Sequence, residues 1–120
     1  MTLIVQQVTG IMSEGRQGRR WTVTDAAGNP IYLTEERWEH ICDGHPELAL
    51  YEDVIRETIR KGRRYQDAKN PYKYYYLRGA DNLPGRSTHI EVVVLLQRRE
   101  RDGDASTNNY ILTAYTRNIR

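Results

Sequence analysis

Ile90-Glu91-Val92-Val93-Val94-Leu95-Leu96-Gln97 contains an unbroken apolar run from Val92 to Leu96. A strand with one wet face alternates apolar and polar residues. An unbroken run instead predicts a central strand covered on both faces. Before it, Tyr72 to Arg78 is tyrosine-rich and reads as a second strand, and the stretch between them, Gly79 to Ser87, carries the turn residues Asn82-Leu83-Pro84-Gly85. After it, Arg98 to Asn109 is charged and rich in small residues, as a loop is, and Tyr110 to Thr116 is again β-rich. Three successive strands joined by loops predict an antiparallel meander.

Upstream of the meander the periodicity changes. Thr34 is placed to cap a helix whose first turn holds Glu35 and Glu36 against the positive helix end, with Trp38, Ile41 and Cys42 on its apolar side and Gly44 to stop it. His45-Pro46-Glu47 bends the chain. A second helix is expected from Tyr51 to Lys61, with Val54, Ile55, Thr58 and Ile59 along one stripe, Arg60 and Lys61 in the last turn, and Gly62 at the end. Trp21 to Thr24 and Ile31 to Leu33, around the turn residues Asp25 to Pro30, read as a hairpin. Met1 to Thr9 reads as an edge strand and Gly10 to Arg20 as a loop. The fold class is therefore α+β: an N-terminal strand or hairpin and two short helices packed on an antiparallel β-meander.

A length of 120 residues fits a single domain with one core, spanning 1–120. Apolar residues make up 38% and charged residues 28%, which argues against disorder. The mean hydropathy of −0.78 points to a polar surface. Nine tyrosines and no phenylalanine mean that most aromatic surface carries a hydroxyl in need of a partner. A lone cysteine, Cys42, and the lack of an apolar run long enough for a signal peptide or membrane span predict a cytoplasmic protein with no membrane association. The net charge of +2 hides an asymmetry: residues 34 to 53 carry seven acids against Arg37, and residues 56 to 73 carry seven bases against Glu57 and Asp67. A basic strip of that kind concentrates polyanions such as RNA.

The densest chemical signal is His40-Ile41-Cys42-Asp43-Gly44-His45. Histidines at i and i+5 across a glycine break match zinc spacing poorly, so no metal is expected. Cys42 sits on the apolar stripe and reads as a buried structural thiol. His40 and His45 lie at a helix terminus beside a predicted sheet, where an imidazole can move a proton near neutral pH or simply cap the helix. His89 reads as a strand-edge residue. Tyr74 and Tyr76 must share one side of their strand while Tyr75 takes the other; one side packs under the helices and the other is available to stack on bases. The same alternation sends Thr113 and Tyr115 to one face, and Ala114 and Thr116 to the opposite one.

Read together, Ile31-x-Leu33-Thr34-x-x-Arg37-Trp38-x-His40-Ile41, His45-Pro46-Glu47, Tyr75-Tyr76, Val92-Val93-Val94 and Ile111-Leu112-Thr113-Ala114-Tyr115 resemble the phage-associated barnase, EndoU, colicin E5/D and RelE-like nuclease families (BECR-type fold). The resemblance covers about residues 29–118. It implies a barnase/RelE-like fold and a metal-independent endoribonuclease, toxin-like or phage-derived, with RNA rather than DNA as substrate, no cofactor, and room for a neutralising protein partner. Carried over residue by residue, it points to His40, His45, Thr113, Tyr115 and Thr116, with Arg37 one turn before His40. The expected site has His45 as acid or base, His40 as its partner, Arg37 or Arg78 on the phosphate, Thr113 and Tyr115 as hydrogen-bond donors, and Lys73, Tyr75 and Thr116 binding substrate. No lone glutamate or lysine fills the general-base role of a barnase-like site in this reading. The alternative is a catalytically inactive RNA- or protein-binding module of the same fold.

Overall fold

The computed structural model describes residues 18–101 and 103–119, and the side chains of all of these except 99–101, 104 and 105. The expected strand from Met1 to Thr9 and most of the expected loop after it lie outside the described residues. Strands β1 (Arg19–Thr24) and β2 (Pro30–Thr34) form the expected hairpin, although β1 begins two residues earlier than the sequence suggests. Gly28, at φ 90°, makes its turn, and the Asp25 carboxylate accepts from the Ala27 and Asn29 amides.

Helix α1 (Glu35–Gly44) is capped by Thr34, whose hydroxyl accepts from the Arg37 amide at 3.0 Å. A 3-10 turn (Pro46–Leu50) leads into α2 (Glu52–Lys61), which ends at Gly62. Here the glycine is required by space, not by conformation. A Cβ on Gly62 would lie 2.3 Å from the Thr58 carbonyl oxygen and 3.0 Å from that of Leu77, because the chain turns hard from α2 onto the sheet.

Four antiparallel strands follow: β3 (Arg63–Gln66), β4 (Lys73–Gly79), β5 (His89–Leu95) and, after a projecting hairpin of β6 (Arg98–Arg101) and β7 (Asp104–Thr107), β8 (Tyr110–Arg117). The strand order is β1-β2-β8-β5-β4-β3, with β2 parallel to β8, so the sheet has six strands and is mixed. The fold is α+β, as expected. The meander nevertheless has four strands where the sequence suggested three, and the stretch taken as a loop from Arg98 to Asn109 contains the β6–β7 hairpin.

Both helices pack on one side of the sheet, α2 over β4, β5 and β1, and α1 over β2 and β8. Ile31, Leu33, Ile41, Leu48, Ile55, Ile59, Tyr76, Ile90, Val92, Val94 and Ile111 form the core between the layers, and burying each such side chain contributes about 1.5–3 kcal/mol. Tyr76 is the largest of them. Its hydroxyl donates to Asp25 Oδ2 at 2.6 Å, which ties the sheet to the β1–β2 turn. No helix among the described residues is long and apolar enough to cross a membrane.

Candidate active site on the helix-free face

Alternation along β5 sends Ile90, Val92 and Val94 to the helices, and His89, Glu91, Val93 and Leu95 to the other face. Register then places partners beside them: Leu77 and Tyr115 flank Glu91, Tyr75 and Thr113 flank Val93, and Gly79 and Arg117 flank His89. On β3, Arg63 and Tyr65 share this face, whereas Arg64, paired with Tyr76, points to the helix side and reaches Asp25 at 3.6 Å.

Glu91 is 3% exposed, although no helix or further strand of the described residues lies over it. A buried carboxylate is costly unless it is hydrogen-bonded. Here the donors are all side chains: the Tyr115 hydroxyl to Oε1 at 2.8 Å, the Tyr65 hydroxyl to Oε2, and Arg117 Nη1 to the two oxygens at 3.3 and 3.2 Å. They come from two strands, β3 and β8, so the carboxylate on β5 closes the middle of this face into one polar network. Burial, followed by the hydrogen bond to Glu91, pushes the Tyr115 phenol well above its ordinary range, so it remains a proton-bearing donor at neutral pH. The same two causes raise the Tyr65 phenol.

His45 reaches this network from outside the sheet. The only register pair between β2 and β8 is Tyr32 with Tyr110, and the end of α1 lies alongside β8. His45 caps α1, its amide donating to the Ile41 carbonyl at 2.8 Å, and its ring lies 6.4 Å from that of Tyr115, tilted by 48°. Glu47 Oε2 is 3.6 Å from His45 Nδ1, so a carboxylate, an imidazole, a phenol and a buried carboxylate follow one another across the surface.

Of the residues singled out in the sequence, His45, Tyr115, Thr113, Tyr75 and Lys73 gather on or beside this face. The others lie elsewhere. Arg37 and His40 line a cavity with Glu36 on α1. Arg78 pairs with Ile90, faces the helix side and lines a cavity with Asp53 and Glu57. Thr116, also paired with Ile90, points opposite to Tyr115. Cys42 is half-buried rather than part of the core; burial and then the Glu52 charge raise its thiol, so it lacks the low pKa of a nucleophile. Among the described residues, no three His, Cys, Asp or Glu side chains form a group suited to a metal ion.

The sequence reading passed over Glu91, Tyr65 and Arg117. For Glu91 the signal was present: a single carboxylate inside a strand expected to be covered on both faces must find several donors. No family model, curated protein or solved structure matches this chain.

Proposed function

We propose that the chain is a cytoplasmic endoribonuclease that cleaves RNA through its ribose 2′-hydroxyl, using the helix-free face and requiring no metal. The observation that carries this reading is the buried Glu91 carboxylate with Tyr65, Tyr115 and Arg117 donating into it and His45 beside Tyr115. Such a reaction needs a base, an acid and donors to the charged phosphorane, and these are the groups present.

In this mechanism the ribose 2′-hydroxyl takes the place of the Tyr115 phenol on Glu91 and gives the carboxylate its proton as the 2′-oxygen bonds to phosphorus. The bond from phosphorus to the 5′-oxygen breaks, and protonated His45, with Glu47 beside it, supplies the proton that the departing oxygen needs. Arg117 and the released phenol hydrogen-bond the phosphorane oxygens, the guanidinium with two donors at once. The products are a 2′,3′-cyclic phosphate and a 5′-hydroxyl. Thr113, on the same face as Tyr115, is a further donor to the substrate backbone.

A second reading has one observation in its favour. Three donors already occupy both oxygens of Glu91, as they would in a structural pin, and on that observation the face is an RNA- or protein-binding surface that does not cut. The two readings separate on incubation of the purified protein with mixed cellular RNA in EDTA, beside His45→Ala and Glu91→Gln proteins of matched thermal stability. The nuclease reading expects cyclic-phosphate ends with the unaltered protein and at least about a hundred-fold loss in either variant, the usual contribution of a positioned acid or base. RNA that is bound but left intact favours an RNA-binding module, and RNA that is neither bound nor cut defeats the nuclease and the RNA-binding module and leaves a protein-binding surface.

A further inference from the structure

Beyond Glu91, toward the sheet edge, two rings lie flat against each other. Tyr65 and Tyr75 have centroids 5.0 Å apart and planes within 11° of parallel. Both belong to the helix-free face, since Tyr65 pairs with Tyr75 across β3 and β4, and Tyr75 pairs with Val93. Neither hydroxyl is left to seek a partner. That of Tyr65 donates to Glu91, and that of Tyr75 donates to Asp67 Oδ1 at 2.7 Å, a bond that pushes the Tyr75 phenol up to about 12. Asp67 is itself held by the amides of Lys69 and Asn70. The rings are therefore fixed at both ends before anything binds, and ordering them costs a ligand little.

Tyr75 has Tyr65 on one side and the Lys73 ammonium 5.7 Å from its centroid. Tyr65 lies on β3, the last strand of the sheet, and is 38% exposed, among the few large apolar side chains so open to solvent. The Glu91 and Asp67 carboxylates are taken up by the two hydroxyls, and cations stand about the rings: Arg63 and Lys73 lie on the same face, and Arg117 sits across Glu91. A flat, immobilised aromatic surface with cations about it suits a ligand that presents a planar base on an anionic backbone.

We propose that the Tyr65–Tyr75 pair is a nucleobase subsite that holds one unpaired base of an RNA strand on the outer face of Tyr65, with the neighbouring phosphate directed toward Arg117. A base inside a duplex is covered by its neighbours on both sides and cannot use such a platform, so the subsite selects single-stranded RNA. The inference rests on the reading of this face as an RNA site and adds to it the kind of RNA taken and the residue that takes it.

The test is binding, not cleavage, measured by fluorescence anisotropy with a 2′-O-methyl single strand that cannot be cut, the same strand with abasic positions, and a duplex of equal length. The unaltered protein is expected to bind the intact strand about ten-fold or more tightly than the abasic strand or the duplex, the scale of one base stacked on an aromatic ring. Tyr65→Ala should lose that preference, and Tyr65→Phe, which keeps the ring and gives up the hydroxyl, should retain it. Because the abasic comparison uses the unaltered protein, a misfolded variant cannot decide the result. Equal affinity for intact and abasic strands, or loss of the preference in Tyr65→Phe, overturns the subsite while leaving RNA as ligand. No affinity for any of the three overturns the subsite and the RNA reading together.

Discussion

Two carboxylates in this protein are nearly identical in chemistry and different in situation. Asp25 and Glu91 are 6% and 3% exposed, each accepts a tyrosine hydroxyl, and each has an arginine nearby, Arg64 at 3.6 Å and Arg117 at 3.2 Å. Asp25 lies on the helix side, where its remaining donors are the Ala27 and Asn29 amides and the Asn29 side chain, all within its own turn. Those backbone donors cannot leave without undoing the hairpin. Glu91 lies on the helix-free face and is held only by side chains from other strands, of which the Tyr115 phenol and Arg117 can turn away when a ligand offers a better partner. Burial and a phenol partner therefore do not make a site. What distinguishes Glu91 is that these donors are exchangeable.

The largest effect on stability is expected at Asp25. Asp25→Ala orphans the buried Tyr76 hydroxyl and takes the acceptor from the Ala27 and Asn29 amides of the β1–β2 turn, so a loss of about 3 kcal/mol in denaturant unfolding is expected. Any cleavage by the fraction still folded should be unchanged. Gly62→Ala, which forces a Cβ against two backbone carbonyls at the joint of α2 and the sheet, should cost about 1–3 kcal/mol by the same measurement. Both changes act on the helix side and should leave the helix-free face intact.

Acid sharpens the contrast. Burial alone would raise the Asp25 carboxyl, but hydrogen bonds from Tyr76, Asn29 and Ala27 outweigh it, and the group lies below its ordinary value of 3.8. Asp67 is lowered to about 2, chiefly by the Tyr75 hydroxyl and two amides. A carboxyl whose folded pKa is depressed adds stability that is complete above the unfolded pKa and is lost as pH falls through the folded one. Melting temperatures should therefore hold above about pH 4 and fall progressively toward pH 2, with a shallower fall in Asp25→Asn. The smallest effect is expected at residues that the sequence suggested and the fold sets apart. His40→Ala, Arg78→Ala and Thr116→Ala should change any cleavage rate less than three-fold, roughly the scatter of surface substitutions.

The central strand, the Thr34 cap, both helices and the alternation of Tyr74, Tyr75 and Tyr76 were legible because each follows from a local rule of periodicity or capping. Strand β3 was not, since all four of its residues are exposed and carry no apolar alternation. It is a strand because β4 pairs with it. The β6–β7 hairpin was hidden for a similar reason, in a charged stretch rich in small residues. At the site, parity separates Thr116 from Tyr115 and, carried along β4, Arg78 from Tyr75, whereas the approach of His45 to Tyr115 depends on how α1 packs beside β8, which no local pattern encodes. Glu91 was overlooked because an apolar run draws attention to its hydrophobic members and away from the one residue that the run must accommodate at a cost.

The most direct measurement is the cleavage rate per folded molecule, in EDTA, of Glu91→Gln beside Asp25→Asn, with melting curves for both and end-group analysis of the RNA. Expected are cyclic-phosphate ends, at least about a hundred-fold loss in Glu91→Gln with most of its stability kept, and the reverse in Asp25→Asn. Equal cleavage by the Glu91→Gln protein and the unaltered one would contradict Glu91 as the base.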